Sequence, residues 1–138
     1  MEELDLDLVV YGSCQNFQYL TGLLVDWRRG VDLGSRANNL FVPRKGKPIL
    51  TVAEDWSKQT SHASVKDVRV QEEKGDFSKL IRDVVSDVGS EARRIGVGDH
   101  VWGSTMIDLF NALKKPVFFK AENLLDEVRM VKDTVEIE

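Results

Sequence analysis

Short apolar runs alternate along this chain with stretches whose apolar residues recur every three or four positions, which predicts strands and helices in turn. "LDLVVYG", Leu6 to Gly12, is a near-continuous apolar run closed by glycine, as in a strand buried on both faces. A short helix is expected from Gln15 to Leu20, stopped at Thr21-Gly22. "NNLFVPRKGKPILTVA" predicts two strands joined by the turn "PRKGKP", and "VKDVRVQ" a further strand. From Asp76 to Val88, Phe77, Leu80, Ile81, Val84, Val85 and Val88 line one helical face, with Asp76 capping its start and Gly89 its end. "RRIGVG" supplies another strand. Ser104 then caps a helix carrying Met106, Leu109, Phe110 and Leu113 on one side. "KPVFFK" is the last strand, where Pro116 is tolerable only at the first position or on an edge. A helix from Asn123 to Val131 follows. Asp133-Thr134 then opens a new helical turn, with acidic residues where the helix dipole favours them, and the sequence stops.

Right-handed crossovers set the strands of the second half parallel, while the hairpin adds an antiparallel pair. The expected fold is therefore α/β and three-layered: a mixed, mostly parallel sheet of about five or six strands with helices on both faces. No repeat or internal domain boundary interrupts it.

Composition narrows the function classes. The chain has 138 residues, enough for one domain, and 42% hydrophobic with 30% charged residues is ordinary for a soluble globular protein. A net charge of -4 with scattered basic pairs (Arg28-Arg29, Lys114-Lys115) lacks the clustered basic face of a nucleic-acid binder. No apolar run approaches the roughly 20 residues of a membrane span, and the acidic opening "MEELDLDLVV" is unlike a signal peptide. A cytoplasmic location is the expectation. The single cysteine, Cys14, forms no internal disulfide and lacks an activating neighbourhood in sequence.

Candidate chemistry is sparse. "GVGDHV", Gly96 to Val101, follows a strand, but Val101 stands where a dinucleotide fingerprint has its third glycine, so a plain loop is favoured. Neither His62 nor His100 has a second ligand at helical spacing, and no nucleophile elbow is present. No catalytic or metal-ligating residue is assigned. The segment "CQNFQYLTGLLVDWRRG" should lie at the carboxyl end of the first strand, where open α/β sheets gather ligands. It offers Asn16, Tyr19, Thr21, Asp26, Trp27 and Arg28. The plainer alternative is a short amphipathic helix with Phe17, Leu20 and Leu23 buried, and it is favoured over a ligand or interface role.

"LDLVVYGSCQNFQYLTG", "ANNLFVPRKGKPILTV", "RRIGVG" and "LLDEVRMVKDTVEIE", in that order, resemble the N-terminal domain of the creatinase/prolidase/aminopeptidase P group, the pita-bread metallopeptidases. The most telling pieces are Asn16 with "YLTG" at Tyr19 to Gly22, and the ending Arg129, Lys132, Glu136 and Ile137. Gly98, where relatives commonly have glutamate, and the stretch "DWRRGVDLGSRANN" depart from the family pattern. The resemblance implies a ribonuclease H-like N-terminal domain over residues 1–131, with 132–138 starting the linker helix to a catalytic domain absent from this chain. In such a protein, closest to an Xaa-Pro dipeptidase, two divalent ions of the Mn, Co or Zn type are held by two Asp, one His and two Glu beyond Glu138. It further implies a homodimer, a short peptide substrate, and a role for this domain in assembly and in restricting access to the site. Tyr19, Thr21, Trp27 and Arg36 are the candidate rim or interface residues, Arg36 because an arginine can clamp a carboxylate through paired hydrogen bonds. A free-standing binding module and the N-terminal domain of a creatinase-like amidinohydrolase are the alternatives.

Overall fold

A computed structural model describes residues 4–23, 38–121 and 123–125. The chain runs β1 (Leu8–Tyr11), α1 (Gln15–Thr21), β2 (Asn39–Pro43), β3 (Ile49–Ala53), a 3-10 helix (Glu54–His62), β4 (Asp67–Gln71), α2 (Phe77–Val88), β5 (Arg94–Val97), α3 (Gly103–Ala112) and β6 (Val117–Lys120). The six strands form one sheet in the order β4-β3-β2-β1-β5-β6. β1 pairs antiparallel with β2 and parallel with β5, β2–β3 is antiparallel, and β3–β4 and β5–β6 are parallel. The mixed α/β sheet expected from the sequence is thus present.

Its register follows from the apolar pattern. All four residues of β1 are buried, as a strand between two neighbours and two covering layers requires. Leu8 and Val10 face a core with Phe41, Ile49 and Ile95, capped by Phe77, Ile81, Val84 and Val85 of α2 and Leu109 of α3. Val9 and Tyr11 face the opposite core with Phe17 of α1, Leu40, Leu50, Val52, Ala63 and Val65. Strand alternation alone produces this split.

Local signals explain most boundaries. The Asp76 carboxylate accepts a hydrogen bond from the Lys79 amide at 3.2 Å, capping α2. Gly22 ends α1 in the left-handed region at φ 74°, and Gly46 carries the hairpin turn at φ 108°. Two expectations change and one element is new. Helix α3 begins at Gly103 after Trp102, with no side-chain cap, so Ser104 lies inside its first turn. Phe110 is exposed, while Thr105 joins Leu109 and Leu113 on the buried side. The polar stretch Glu54–His62 forms a 3-10 helix of nine residues, longer than the usual run of about three or four. Of the helix expected over 123–131, Asn123–Leu125 form a turn closed by the Leu124 amide on the Ala121 carbonyl at 3.2 Å; the remainder, and the final turn at Asp133, lie outside the described residues.

At the amino end of β1 one carboxylate bridges two strands. Asp7 accepts hydrogen bonds from the Arg93 and Arg94 amides, both at 2.9 Å, joining β1 to the start of β5. These two amides, Arg94 foremost, hold the Asp7 carboxyl below its ordinary value of 3.8. A depressed folded-state pKa gives stability that is present above the unfolded value and lost as pH falls through the folded one. Asp7→Asn should therefore cost about 1 kcal/mol at neutral pH, a figure already reduced for solvent screening. In urea titrations the wild-type advantage should shrink below about pH 4 and vanish in stronger acid.

Candidate functional site

The carboxyl ends of β1, β3, β4 and β5 share one edge of the sheet with the amino end of β2, because the parallel pairs run together and β2 runs against them. The backbone there is crowded. A Cβ on Gly12 would sit 1.9 Å from the His100 carbonyl oxygen, and one on Gly98 would lie 2.3 Å from the Tyr11 ring. The Gly12 amide donates to the Asp99 carbonyl at 3.1 Å and the Gly98 amide to that of Val10 at 2.8 Å, so the two chain segments cross in direct contact. His100, at φ 59°, completes the crossing in the left-handed region. Gly96 is equally confined: a Cβ there would fall 2.8 Å from Leu6 and 3.0 Å from Ala121. The glycines of "GVG" therefore serve packing within the sheet.

Around this crossing lie neutral hydrogen-bonding groups. Asn38 is buried, and its Oδ1 accepts from the Ala53 amide at 2.9 Å, tying the approach to β2 to the end of β3. Thr51 Oγ1 donates to the Asn39 carbonyl at 3.4 Å. Cys14 and Asn16 are buried where α1 leaves β1. The buried Ser13 hydroxyl has no hydrogen-bond partner among the described residues. Burial pushes the Tyr11 phenol up to about 12, with Cys14 contributing, so the ring stays neutral at physiological pH.

The rim candidates fall in different settings. Tyr19 projects from the outer side of α1, 39% exposed. Thr21 is fully buried: its hydroxyl donates to the Phe17 carbonyl at 2.7 Å and accepts from the Leu23 amide at 3.2 Å. Its own carbonyl accepts from the Ser64 amide at 2.9 Å, while the Ser64 hydroxyl donates to the Leu20 carbonyl at 2.6 Å. Thr21 thus anchors the end of α1 to the segment before β4. Trp27 and Arg36, with Asp26 and Arg28, lie outside the described residues. The Asn38–Ala53 bond had no sequence signal, since it depends on the hairpin register.

A concavity of about 360 Å³ opens between the first turns of α2 and α3, lined by Gly75, Phe77, Ser78, Ser104, Ile107 and Asp108, among others. The Ser78 hydroxyl donates to the Asp108 carboxylate at 2.6 Å across it. Among the described residues, no three or more His, Cys, Asp or Glu side chains come together in a way that fits a metal ion. No described helix is long and apolar enough to cross a membrane.

An α/β domain with a six-stranded mixed sheet, closed at one edge by a glycine-lined crossing and a rim of amides and hydroxyls, is the class these features define. The chain belongs to the creatinase/prolidase N-terminal domain family, whose model matches residues 1–131. Solved structures share the fold. A dipeptidase from Pyrococcus horikoshii OT3 superposes with a TM-score of 0.75 at 22% identity, over 95% of this chain and 34% of that one. The creatinase/prolidase N-terminal domain of an X-Pro dipeptidase from Streptococcus pyogenes gives 0.71 at 20% identity, over 94% and 91%. A recombinant prolidase from Thermococcus sibiricus gives 0.76 at 17%, over 99% and 35%. This chain therefore spans about a third of the length of the Pyrococcus and Thermococcus proteins. Comparison with curated proteins gave no match.

Substituting the crossing glycines tests whether they are steric necessities. Gly98→Ala should destabilise the domain by about 1–3 kcal/mol through overpacking against Tyr11. Gly12→Ala should cost more, because it meets backbone rather than a ring. Gly103→Ala, where a Cβ meets nothing within 4 Å, should be neutral or slightly stabilising in the same denaturation series.

Proposed function

We propose that this chain is the noncatalytic N-terminal domain of a dinuclear metallopeptidase of the Xaa-Pro dipeptidase or aminopeptidase type, acting in assembly and in shaping substrate access. The family match over residues 1–131 carries the reading. Likeness to a third of a dipeptidase and of a prolidase supports it. On this reading the two divalent ions, their carboxylate and histidine ligands and the hydrolytic water belong to a following catalytic domain in a cytoplasmic enzyme. Such metals would act there as Lewis acids and would generate the nucleophile. The contribution of this chain is positional. A sheet with both faces covered is a stiff support, and α1 carries Tyr19 outward from its carboxyl edge.

Of the two rim candidates among the described residues, Tyr19 has the exposed side chain that contact with a peptide or a neighbouring subunit requires. Thr21 would act by fixing the end of α1. Trp27 and Arg36 stay in the proposal as an aromatic wall and a carboxylate clamp.

Sequencing the gene past Glu138 and assaying its product is the deciding experiment. The full protein should hydrolyse Xaa-Pro dipeptides, lose that activity to a chelator and regain it with Mn²⁺, Co²⁺ or Zn²⁺, whereas the 138-residue chain should show no turnover with added metal. Turnover by the short chain, or a stop codon after Glu138, would sink the reading; the stop codon would favour a free-standing binding module. In the full protein Tyr19→Ala should raise KM about two- to tenfold with little change in kcat, as loss of a uniform binding contact does.

A further inference from the structure

Helix α1 has seven residues, and a helix that short does not hold its shape unaided. Phe17 anchors it to the core, and its carboxyl end is held from outside the helix. The Gly22 amide closes the last turn onto the Gln18 carbonyl at 2.8 Å, which leaves the carbonyls of Leu20 and Thr21 without a partner inside the helix. One residue, 44 positions on from Leu20, takes both. The Ser64 hydroxyl donates to the Leu20 carbonyl at 2.6 Å, and the Ser64 amide donates to the Thr21 carbonyl at 2.9 Å. Two bonds from one residue fix direction as well as distance. Ser64 is itself exposed, but Ala63 and Val65 on either side are buried in the core that holds Phe17. The Ala63 amide also donates to the Thr60 carbonyl at 3.0 Å, closing the 3-10 helix just before. The clasp thus reaches α1 from backbone that is pinned on both sides.

From this clasp we infer that Ser64 is a positioning residue, which sets the attitude of α1 and so the place of Tyr19 at the rim. The inference rests on the role proposed above for Tyr19 in meeting substrate. Ser64 acts through the helix and not on the substrate: Tyr19, one residue before the clasped Leu20 carbonyl, carries the exposed ring. The hydroxyl bond lies at the surface, where water could satisfy the same carbonyl. Its contribution is therefore one of orientation more than of stability.

Hydrogen exchange of the 138-residue chain reads the clasp without any activity. Ser64→Ala keeps the amide bond and removes the hydroxyl one. The Gly22 and Leu23 amides should then exchange about two- to tenfold faster, while those of α2 keep their wild-type rates. Ser64→Thr, which retains a hydroxyl, should restore protection, and Ser61→Ala in the adjoining 3-10 helix should leave it as it was. In the full protein Ser64→Ala should raise KM for Xaa-Pro dipeptides about two- to threefold with kcat little changed. It should add nothing in a Tyr19→Ala background, as two changes acting along one path do. Unchanged exchange at Gly22 and Leu23, a KM unmoved by Ser64→Ala while Tyr19→Ala raises it, or full additivity of the two overturns the inference. A full protein that hydrolyses no Xaa-Pro dipeptide, or whose KM ignores Tyr19→Ala, overturns instead the reading beneath it, and the exchange rates still decide whether the clasp holds α1.

Discussion

The structure depends on how closely the chain passes itself at the carboxyl end of β1. Gly12 lies against the backbone of Asp99 and His100, Gly98 against the face of Tyr11, and Gly96 between Leu6 and Ala121. A methyl group at Gly12 or Gly98 would overlap atoms already present, so the central strand and the loop leaving β5 are locked in one relation. That lock sets where α1 and α3 begin, since each starts a few residues beyond the crossing. Placement of Tyr19 and of the exposed face of α3 is thus a consequence of backbone contact in the sheet rather than of loop chemistry.

The amino end of the same strand is held differently. Asp5, Asp7, Arg44 and Arg94 gather there, with the Arg44 Nε donating to the Leu6 carbonyl at 2.8 Å and the Arg94 Nε to that of Asp5 at 2.9 Å. The Arg94 guanidinium also lies 4.3 Å from the centre of the Phe119 ring. Ion pairs here are largely exposed, and exposed pairs contribute little. The useful bonds are those to main-chain groups, which tie β1, β2 and β5 together around the buried Leu6. One end of the sheet is held by steric contact and backbone bonds; the other is polar and sensitive to acid.

These two mechanisms explain what could be read from the sequence. The buried strand β1 was legible because an apolar run closed by glycine has few other uses, and α2 because its stripe, Asp76 and Gly89 agree. For α3 the apolar set Met106, Leu109, Phe110 and Leu113 spans about 100° of the helix, so its period marks the face and not which side of it is covered. Packing on α2 drew in Thr105 and Leu109 and left Phe110 outside, a choice that depends on helix rotation rather than period. The 3-10 helix carries no buried residue, so no apolar rhythm announced it. At the candidate rim, the place of α1 after β1 was readable, and Gly22 marked its end. The role of Thr21 was hidden, because a hydroxyl beside a helix-ending glycine can bond the backbone or face a ligand with the same sequence. "GVG" misleads in a similar way: close approach of a backbone to phosphate and close approach to a tyrosine ring both demand glycine.

The structure combines a stiff body with some surface that its own folding leaves unused. The body is the sheet, its two faces covered from within the chain, so that α1, α2 and α3 are each fixed by side chains already committed to a core. The unused surface is unequal. Asn38, Thr21 and Ser64 satisfy the backbone at the carboxyl edge and so make it rigid more than reactive. Along α3, by contrast, Ile107 and Phe110 keep apolar area in water that the isolated fold gains nothing by exposing. Polar replacements at those two positions would cost the monomer little. Their exposure marks the outer face of α3 as surface that the fold of this domain leaves uncommitted.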